Sequence, residues 1–332
     1  MAISILRFDM RSPAFSPAQT GELYAAALEM GSWAEQQGFD VLVVSEHHAA
    51  EDGFLPSPVA LMGAMVGRTR TLRIQASALL LPLYDPVKLA EDLVVLDLAS
   101  GGRVSVTVGI GYRPVEFAMF GKDWNARGKL MDECLDVVLR AWSGESFEWN
   151  GRRVHMTTAP LTRPKPPIFV GGMGKLGARR AARFGLPFQP AVSDPEVLEL
   201  YRSECERLGV ENPLVMPPGS GEMIWVSRDP DRTWSQIGSY LLHDATTYHS
   251  WQPAHQHSAV HSTASTIDEL RVEGKYRILT PEQCVERAEK LGPLGDFGLF
   301  PLCGGTPPEL AWESLELYAN EVLPAIRSGS GS

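Results

Sequence analysis

The stretch VLVVSEHHAA, residues 41–50, decides the fold reading. Its first four residues are too few and too β-branched for a helix, and their unbroken apolar character suits a parallel strand covered on both faces. The run ends abruptly in Ser45, Glu46, His47 and His48. Polar side chains at the carboxyl end of such a strand stand where open α/β sheets and barrels place their chemistry. Successive side chains of an extended segment alternate in direction, so His47 and His48 are not expected to face one ligand atom together. One works in a pocket and the other supports it, with Glu46 within reach as a partner.

The flanking sequence repeats the same alternation. ISILRF (3–8) reads as a first strand, and Ser16-Pro17 opens a helix that Gly38 closes. LRIQASALLL (72–81) and RVSVTVGIG (103–111) read as strands three and four, separated by a helix that starts at Asp85-Pro86 and stops at Ser100-Gly101-Gly102. Arg127–Trp142 is amphipathic, and FEWNGRRVHM (147–156) carries Asn150-Gly151, a hairpin signal. IFVGG (168–172) is a fifth strand, a short extended piece lies near 186–191, and MIWVS (223–227) and DFGLFPL (296–302) follow. About eight strand–helix units without a linker imply right-handed crossovers and a parallel sheet. The expected fold is α/β, a (β/α)8 TIM barrel over residues 1–327, with an insertion after the seventh strand at about 246–277 and a flexible tail at 328–332. That insertion is polar and turn-rich and holds Tyr248, Trp251 and four of the histidines.

Composition narrows the function classes. With 332 residues, 44% of them hydrophobic, the chain can bury a large core. Thirty Lys+Arg against 40 Asp+Glu, a net charge of −10, disfavours a nucleic-acid surface. No apolar run approaches membrane-spanning length and the amino terminus lacks signal-peptide character, so a cytoplasmic location is expected. Cys134, Cys205, Cys284 and Cys303 are scattered, which suits reduced, buried thiols rather than disulfides or structural zinc. Glu46-His47-His48 is not H-E-x-x-H, and His255, His257 and His261 fit a polar loop better than a ligand set; no metal is expected. No G-x-S-x-G elbow occurs.

Two glycine-rich strand ends remain. GGMGK (171–175) lets backbone N–H groups approach an anion at a helix start, although a tight strand–helix turn is the simpler reading of that stretch alone. GIGYRP (109–114) either admits a flat ring close to the backbone or merely punctuates a turn.

Taken together, SEHH, LPLYDPVKLAEDLVVLDLASGGR, RVSVTVGIGYRPVEF and RPKPPIFVGGMGKLGARRAARFGLP resemble the bacterial luciferase-like flavin-dependent monooxygenases, over nearly the whole chain. The resemblance implies a barrel that binds reduced FMN delivered by a separate reductase, and oxygenation of a small organic substrate by dioxygen through a flavin hydroperoxide. It implies that His47 is the acid–base group beside the flavin, with Glu46 and His48 as its neighbours. Ser77-Ala78 matches the family's non-proline cis peptide against the flavin ring. Gly109, Gly111 and Tyr112 would border that ring, and Gly171, Gly172, Met173 and Gly174 would receive the phosphate. Luciferase itself has acidic and hydroxyl side chains near that phosphate, where this chain has glycines and Met173, so luciferase's aldehyde specificity is not carried over. Phe8, Tyr248 and Trp251, with Tyr112, are the expected substrate contacts, and 246–277 is expected to act as a lid. A homodimer is the family expectation, through helices after strands two and three, where 59–66 is unusually apolar. The rival readings are a dehydrogenase or reductase using the deazaflavin coenzyme factor 420, a non-catalytic flavin-binding protein, and a metal hydrolase.

Overall fold

The computed structural model describes residues 2–217, 219, 221–252, 261–292 and 295–328. His255, His257 and residues 329–332 of the tail lie outside them. The strands are β1 (Ile3–Phe8), β2 (Val41–Val44), β3 (Arg73–Leu80), β4 (Val104–Gly109), β5 (Phe147–Trp149), β6 (Arg152–Val154), β7 (Ile168–Gly172), β8 (Phe188–Pro190), β9 (Met223–Val226), β10 (Tyr276–Leu279) and β11 (Asp296–Leu299). The chain forms two compact units. One is Met1–Val43 with Ala50–Leu55 and Pro217–Ser332; the other is Val44–Ala49 with Pro56–Met216.

In the first unit the strands follow the order β10-β9-β11-β1-β2. β1 and β11 run parallel, as do β9 and β10. Along β1 alternate residues are buried, so Ser4, Leu6 and Phe8 face one side. The start of β2 is tied to β1 by Ser4 N–H donating to Asp40 Oδ2 at 2.8 Å and Asp40 N–H donating to the Ser4 carbonyl at 3.1 Å. The first helix runs Thr20–Gln37, not from Pro17 as the sequence suggests. Its start is set by the Glu22 carboxylate, which accepts the Gln19 N–H at 2.9 Å. Ser16 instead donates its hydroxyl to the Gly305 carbonyl at 2.7 Å, which holds that segment outside the helix.

Two further corrections fall in the histidine-rich region. The helix that begins at Pro230 continues to Trp251, so Tyr248 and Trp251 stand on a helix rather than in a loop. Tyr276–Leu279, read from the sequence as the end of an insertion, is a strand parallel to β9. Its buried faces are Tyr276 and Ile278, while Arg277 between them pairs with Glu222 at 2.8 Å. One charged residue in a four-residue strand hides the alternation that would have identified it.

In the second unit β3, β4, β7 and β8 are adjacent in that order and parallel. Ile74, Ala76, Val106, Val108, Ile168 and Val170 are buried on one face under the helices. The opposite face carries Gln75, Ser77, Gly109, Phe169 and Gly171, all half-buried. Polar contacts tie that face across strands: the Gln75 amide donates to Thr107 Oγ1 at 3.0 Å and to Gln189 Oε1 at 3.3 Å, and Thr107 donates to the same Gln189 oxygen. β5 and β6 form the expected antiparallel hairpin, with Asn150 and Gly151 at φ 48° and 71°.

Several glycines of the first unit leave no room for a side chain, Gly304 the clearest of them. Gly304 has φ +61°, and a Cβ there would overlap the Tyr240 carbonyl oxygen. We expect Gly304→Ala to lower unfolding stability by about 2–3 kcal/mol, measured by urea denaturation. Gly53→Ala, which has φ +71° but open space around it, should cost less.

Candidate active site

The second unit gathers the residues that follow β2 around the short helix Pro114–Met119. Ser45, Glu46, His47 and His48 are all buried. His47 Nδ1 lies 2.8 Å from Glu116 Oε1, and the same oxygen accepts the His48 backbone N–H at 3.1 Å and Arg113 Nη1 at 3.2 Å. Burial alone would raise the Glu116 pKa. The hydrogen bond and charge of His47, the His48 N–H and Arg113 reverse that and hold it below the usual carboxylate value. An ionised Glu116 can only accept, so the proton of His47 sits on Nδ1 and Nε2 keeps its lone pair. Tyr112 donates its hydroxyl to that nitrogen at 3.1 Å, with the two rings edge to face.

His48 turns the other way. Its Nε2 lies 2.8 Å from Glu46 Oε1, and its ring packs edge-on against Phe120 at 4.6 Å. Glu46 also accepts the Leu80 N–H at 2.7 Å and the Tyr84 hydroxyl at 2.8 Å. Burial and then Glu46 push the Tyr84 phenol upward, so it remains a donor. Arg113 closes the group by donating to the His48 carbonyl at 2.6 Å. Glu46 and His48 thus form one pair and His47 and Glu116 another. Glu116, Arg113 and Tyr84 were not identified from the sequence, although the Glu and Arg stand in the quoted GYRPVEF run.

The Ser77-Ala78 peptide is cis, and Ser45 donates its hydroxyl to the Ser77 carbonyl at 2.9 Å. A Cβ on Gly109 would lie 3.0 Å from Ala78 Cβ, and one on Gly111, at φ +77°, would lie 3.0 Å from Phe117. Gly171 and Gly172 likewise approach Thr107 and Gly177 closely. A Cβ would crowd its neighbours at Gly109, Gly111 and Gly171, whereas at Gly172 it would make ordinary contact. Gly174 differs: nothing lies within 4 Å of where its Cβ would be. It caps the helix Lys175–Arg183 without a side-chain hydrogen bond. The Gly177 and Ala178 N–H groups bond the Gly174 carbonyl, while the Lys175 and Leu176 N–H groups precede the first acceptor of the helix, which suits an anion. Met173 beside it is half-buried.

The expected substrate contacts lie in the first unit. Phe8 is buried. Tyr248 and Trp251 pack with Phe54 around the guanidinium of Arg11, with ring centroids 4.9, 4.7 and 4.7 Å from its central carbon. Arg11 is fully buried, donates a hydrogen bond to Asp52 at 2.5 Å and forms an ion pair with Asp244 at 2.8 Å. Asp9 completes the cluster, its pKa pushed up to about 7 by burial and by Asp244.

The Glu116 carboxylate has a consequence for stability. Its folded pKa lies below the ordinary 4.5, so the stability it contributes is complete above that value and disappears as pH falls through the folded pKa. We expect Glu116→Gln to lose about 1–3 kcal/mol at pH 7 and to show a flatter decline in stability below pH ~4.5, measured by denaturant titration across pH.

Comparison with known proteins adds the family. The model of the luciferase-like monooxygenases matches residues 7–295. The oxygenase component of a flavin-dependent trigonelline monooxygenase from Acinetobacter baylyi is 26% identical over 209 residues, 59% of this chain and 58% of that protein. The chain matches about half the length of the curated relatives. Among solved structures, the oxygenating constituent of 3,6-diketocamphane monooxygenase from Pseudomonas putida, in complex with FMN, superposes with a TM-score of 0.72. It is 17% identical and covers 98% of this chain and 99% of that one. A secondary alcohol dehydrogenase dependent on factor 420, in complex with a cofactor–acetone adduct, gives a TM-score of 0.68 at 18% identity, covering 98% and 100%. The fold is that of the luciferase-like TIM barrels, and the chain belongs to the luciferase-like monooxygenase family.

Proposed function

We propose that this protein is an FMN-dependent monooxygenase that oxidises a small organic substrate with dioxygen, with His47 as its proton-handling residue. The observation that carries the reading is the His47–Glu116 pair. A buried anionic acceptor on Nδ1 leaves Nε2 as a basic nitrogen at the end of β2, presented with the Tyr112 hydroxyl. Glu46 and His48 hold the turn that carries it.

The residues present fit FMN. Gly109 lies against Ala78, and together with Ser77 they give the half-buried face of β3 and β4 a stretch of small residues, which suits the close approach of a flat ring. The Lys175 and Leu176 N–H groups at the start of Lys175–Arg183 are offered to a phosphate, with Gly171, Gly172, Met173 and Gly174 leading into that turn. Bound reduced FMN supplies the electrons that activate dioxygen. The chain's part is to seat the ring against Ser77, Ala78, Gly109 and Gly111, and to exchange a proton at His47 Nε2. A separate flavin reductase would supply the reduced cofactor, in keeping with relatives that are themselves oxygenase components. Residues 1–327 would act as one domain, in the cytoplasm; no helix among the described residues is long and apolar enough to cross a membrane.

A deazaflavin-dependent dehydrogenase is the second reading, favoured by the factor 420 relative. Parallel titration with reduced FMN and reduced factor 420 separates the two, because only the first is expected to couple binding to oxygen consumption. His47→Ala should bind FMN with unchanged affinity and lose about 10²–10⁴-fold in turnover. Turnover at the native level in that variant would remove His47 from its role.

We also propose a homodimer. On the helix Pro58–Arg68 the large residues Leu61, Met62, Met65 and Val66 are buried within the unit, leaving Ala60, Ala64 and Gly67 exposed. Beside it, on Pro86–Ser100, Val95 and Leu98 are 59% and 43% exposed. A small-residue face bordered by aliphatics suits close packing of a second copy. Val95→Glu with Leu98→Glu should convert dimer to monomer in sedimentation velocity while the fold, by circular dichroism, is retained.

A further inference from the structure

The first unit contains a second histidine–carboxylate–arginine chain that the monooxygenase reading does not use. His243 Nε2 lies 2.8 Å from Asp52 Oδ2, and Arg11 Nη1 holds that same oxygen at 2.5 Å. The order of groups matches His47–Glu116–Arg113, built from other elements. Asp52 and Arg11 are buried, whereas the His243 side chain is 24% exposed. Burial raises the Asp52 pKa, but the His243 hydrogen bond and Arg11 outweigh it and bring it down to about 2. Asp52 is therefore an obligate acceptor at neutral pH. In the neutral imidazole it draws the proton to Nε2, which makes Nδ1, on a side chain that is 24% exposed, a lone-pair acceptor. Nδ1 has no hydrogen-bond partner among the described residues.

An aromatic wall stands beside it. The Phe15 ring is 53% exposed and meets His243 edge to face at 5.6 Å and Tyr240 at 5.4 Å. Phe15 is held in place: its neighbour Ser16 bonds the Pro13 carbonyl through its N–H at 2.8 Å and the Gly305 carbonyl through its hydroxyl at 2.7 Å. Behind His243, Arg11 is clamped by Phe54, Tyr248 and Trp251 and by Asp244, so neither Asp52 nor the imidazole is loosely placed. A fixed acceptor nitrogen next to an exposed ring is complementary to an aromatic frame carrying a hydroxyl donor.

We infer that Phe15 and His243 form a binding site for hydroxyaromatic, phenol-type ligands, with Asp52 and Arg11 as positioning residues that set the tautomer of His243. In this site the ligand ring stacks on Phe15 and its O–H donates to His243 Nδ1. The assignment does not depend on the flavin reading, because its test needs neither cofactor nor turnover.

The probes are 2-naphthol and 2-methoxynaphthalene, titrated calorimetrically into the full-length protein without flavin. The two share an aromatic frame, but only the first has a donor. The native protein should bind 2-naphthol about tenfold more tightly than the methyl ether. His243→Phe should abolish that preference while retaining affinity for the ether, and Phe15→Ala should weaken both probes. In parallel, nitrogen NMR of the native imidazole should show the Nε2-protonated tautomer, with the Nδ1 resonance shifting on addition of 2-naphthol. Equal affinities for the two probes, a preference that survives His243→Phe, or an unshifted Nδ1 resonance would each overturn the assignment.

Discussion

A carboxylate removed from water has to be met by donors, and Glu116 is the place where that requirement shapes the candidate site. One of its oxygens takes three donors at once: the His47 ring, the His48 backbone N–H and the Arg113 guanidinium. Each donor belongs to a different part of the arrangement, so a single oxygen fixes the turn after β2, the start of the helix Pro114–Met119 and the tautomer of His47. The charge is tolerated because the group is paired and hydrogen-bonded, and its depressed pKa reports the balance.

The two histidines of the SEHH motif consequently do different work. His48 is consumed by structure, tied to Glu46 and packed on Phe120. His47 meets Glu116 through Nδ1 and the Tyr112 hydroxyl through Nε2, the arrangement on which the proposed proton-handling role rests. Glu46 meanwhile accepts from β3, through Leu80, and from Tyr84. The motif ties the strand end to β3 with one pair and to the helix Pro114–Met119 with the other.

Much of this was legible before any coordinates. β-branched runs bounded by Gly and Pro marked most strands, because a parallel sheet buried on both faces leaves a continuous apolar signature. The helix Arg127–Trp142 and the Asn150-Gly151 hairpin followed from periodicity and turn chemistry. The errors share a cause. The helix Pro230–Trp251 runs past its expected end, where Tyr248 and Trp251, one turn apart, close on the Arg11 guanidinium. β10 contains an arginine whose partner, Glu222, is 55 residues away. The first helix begins at Thr20, three residues beyond Pro17, with Gln19 as its cap. Each depends on a contact distant in sequence or on a choice between competing local signals.

The sequence by itself determined the α/β alternation, the position of the polar cluster after β2, and the family. These are recorded in periodicity and in short contiguous motifs, which local physics translates directly into strands, helices and turns. Only the tertiary structure decided which carboxylate meets which histidine. Glu116 lies 69 residues from His47, Asp52 lies 191 residues from His243, and no local rule pairs such groups. The role of the glycines was settled the same way. Whether a glycine is crowded by its neighbours, as at Gly109, or faces open space, as at Gly174, depends on groups that the chain brings together only when folded.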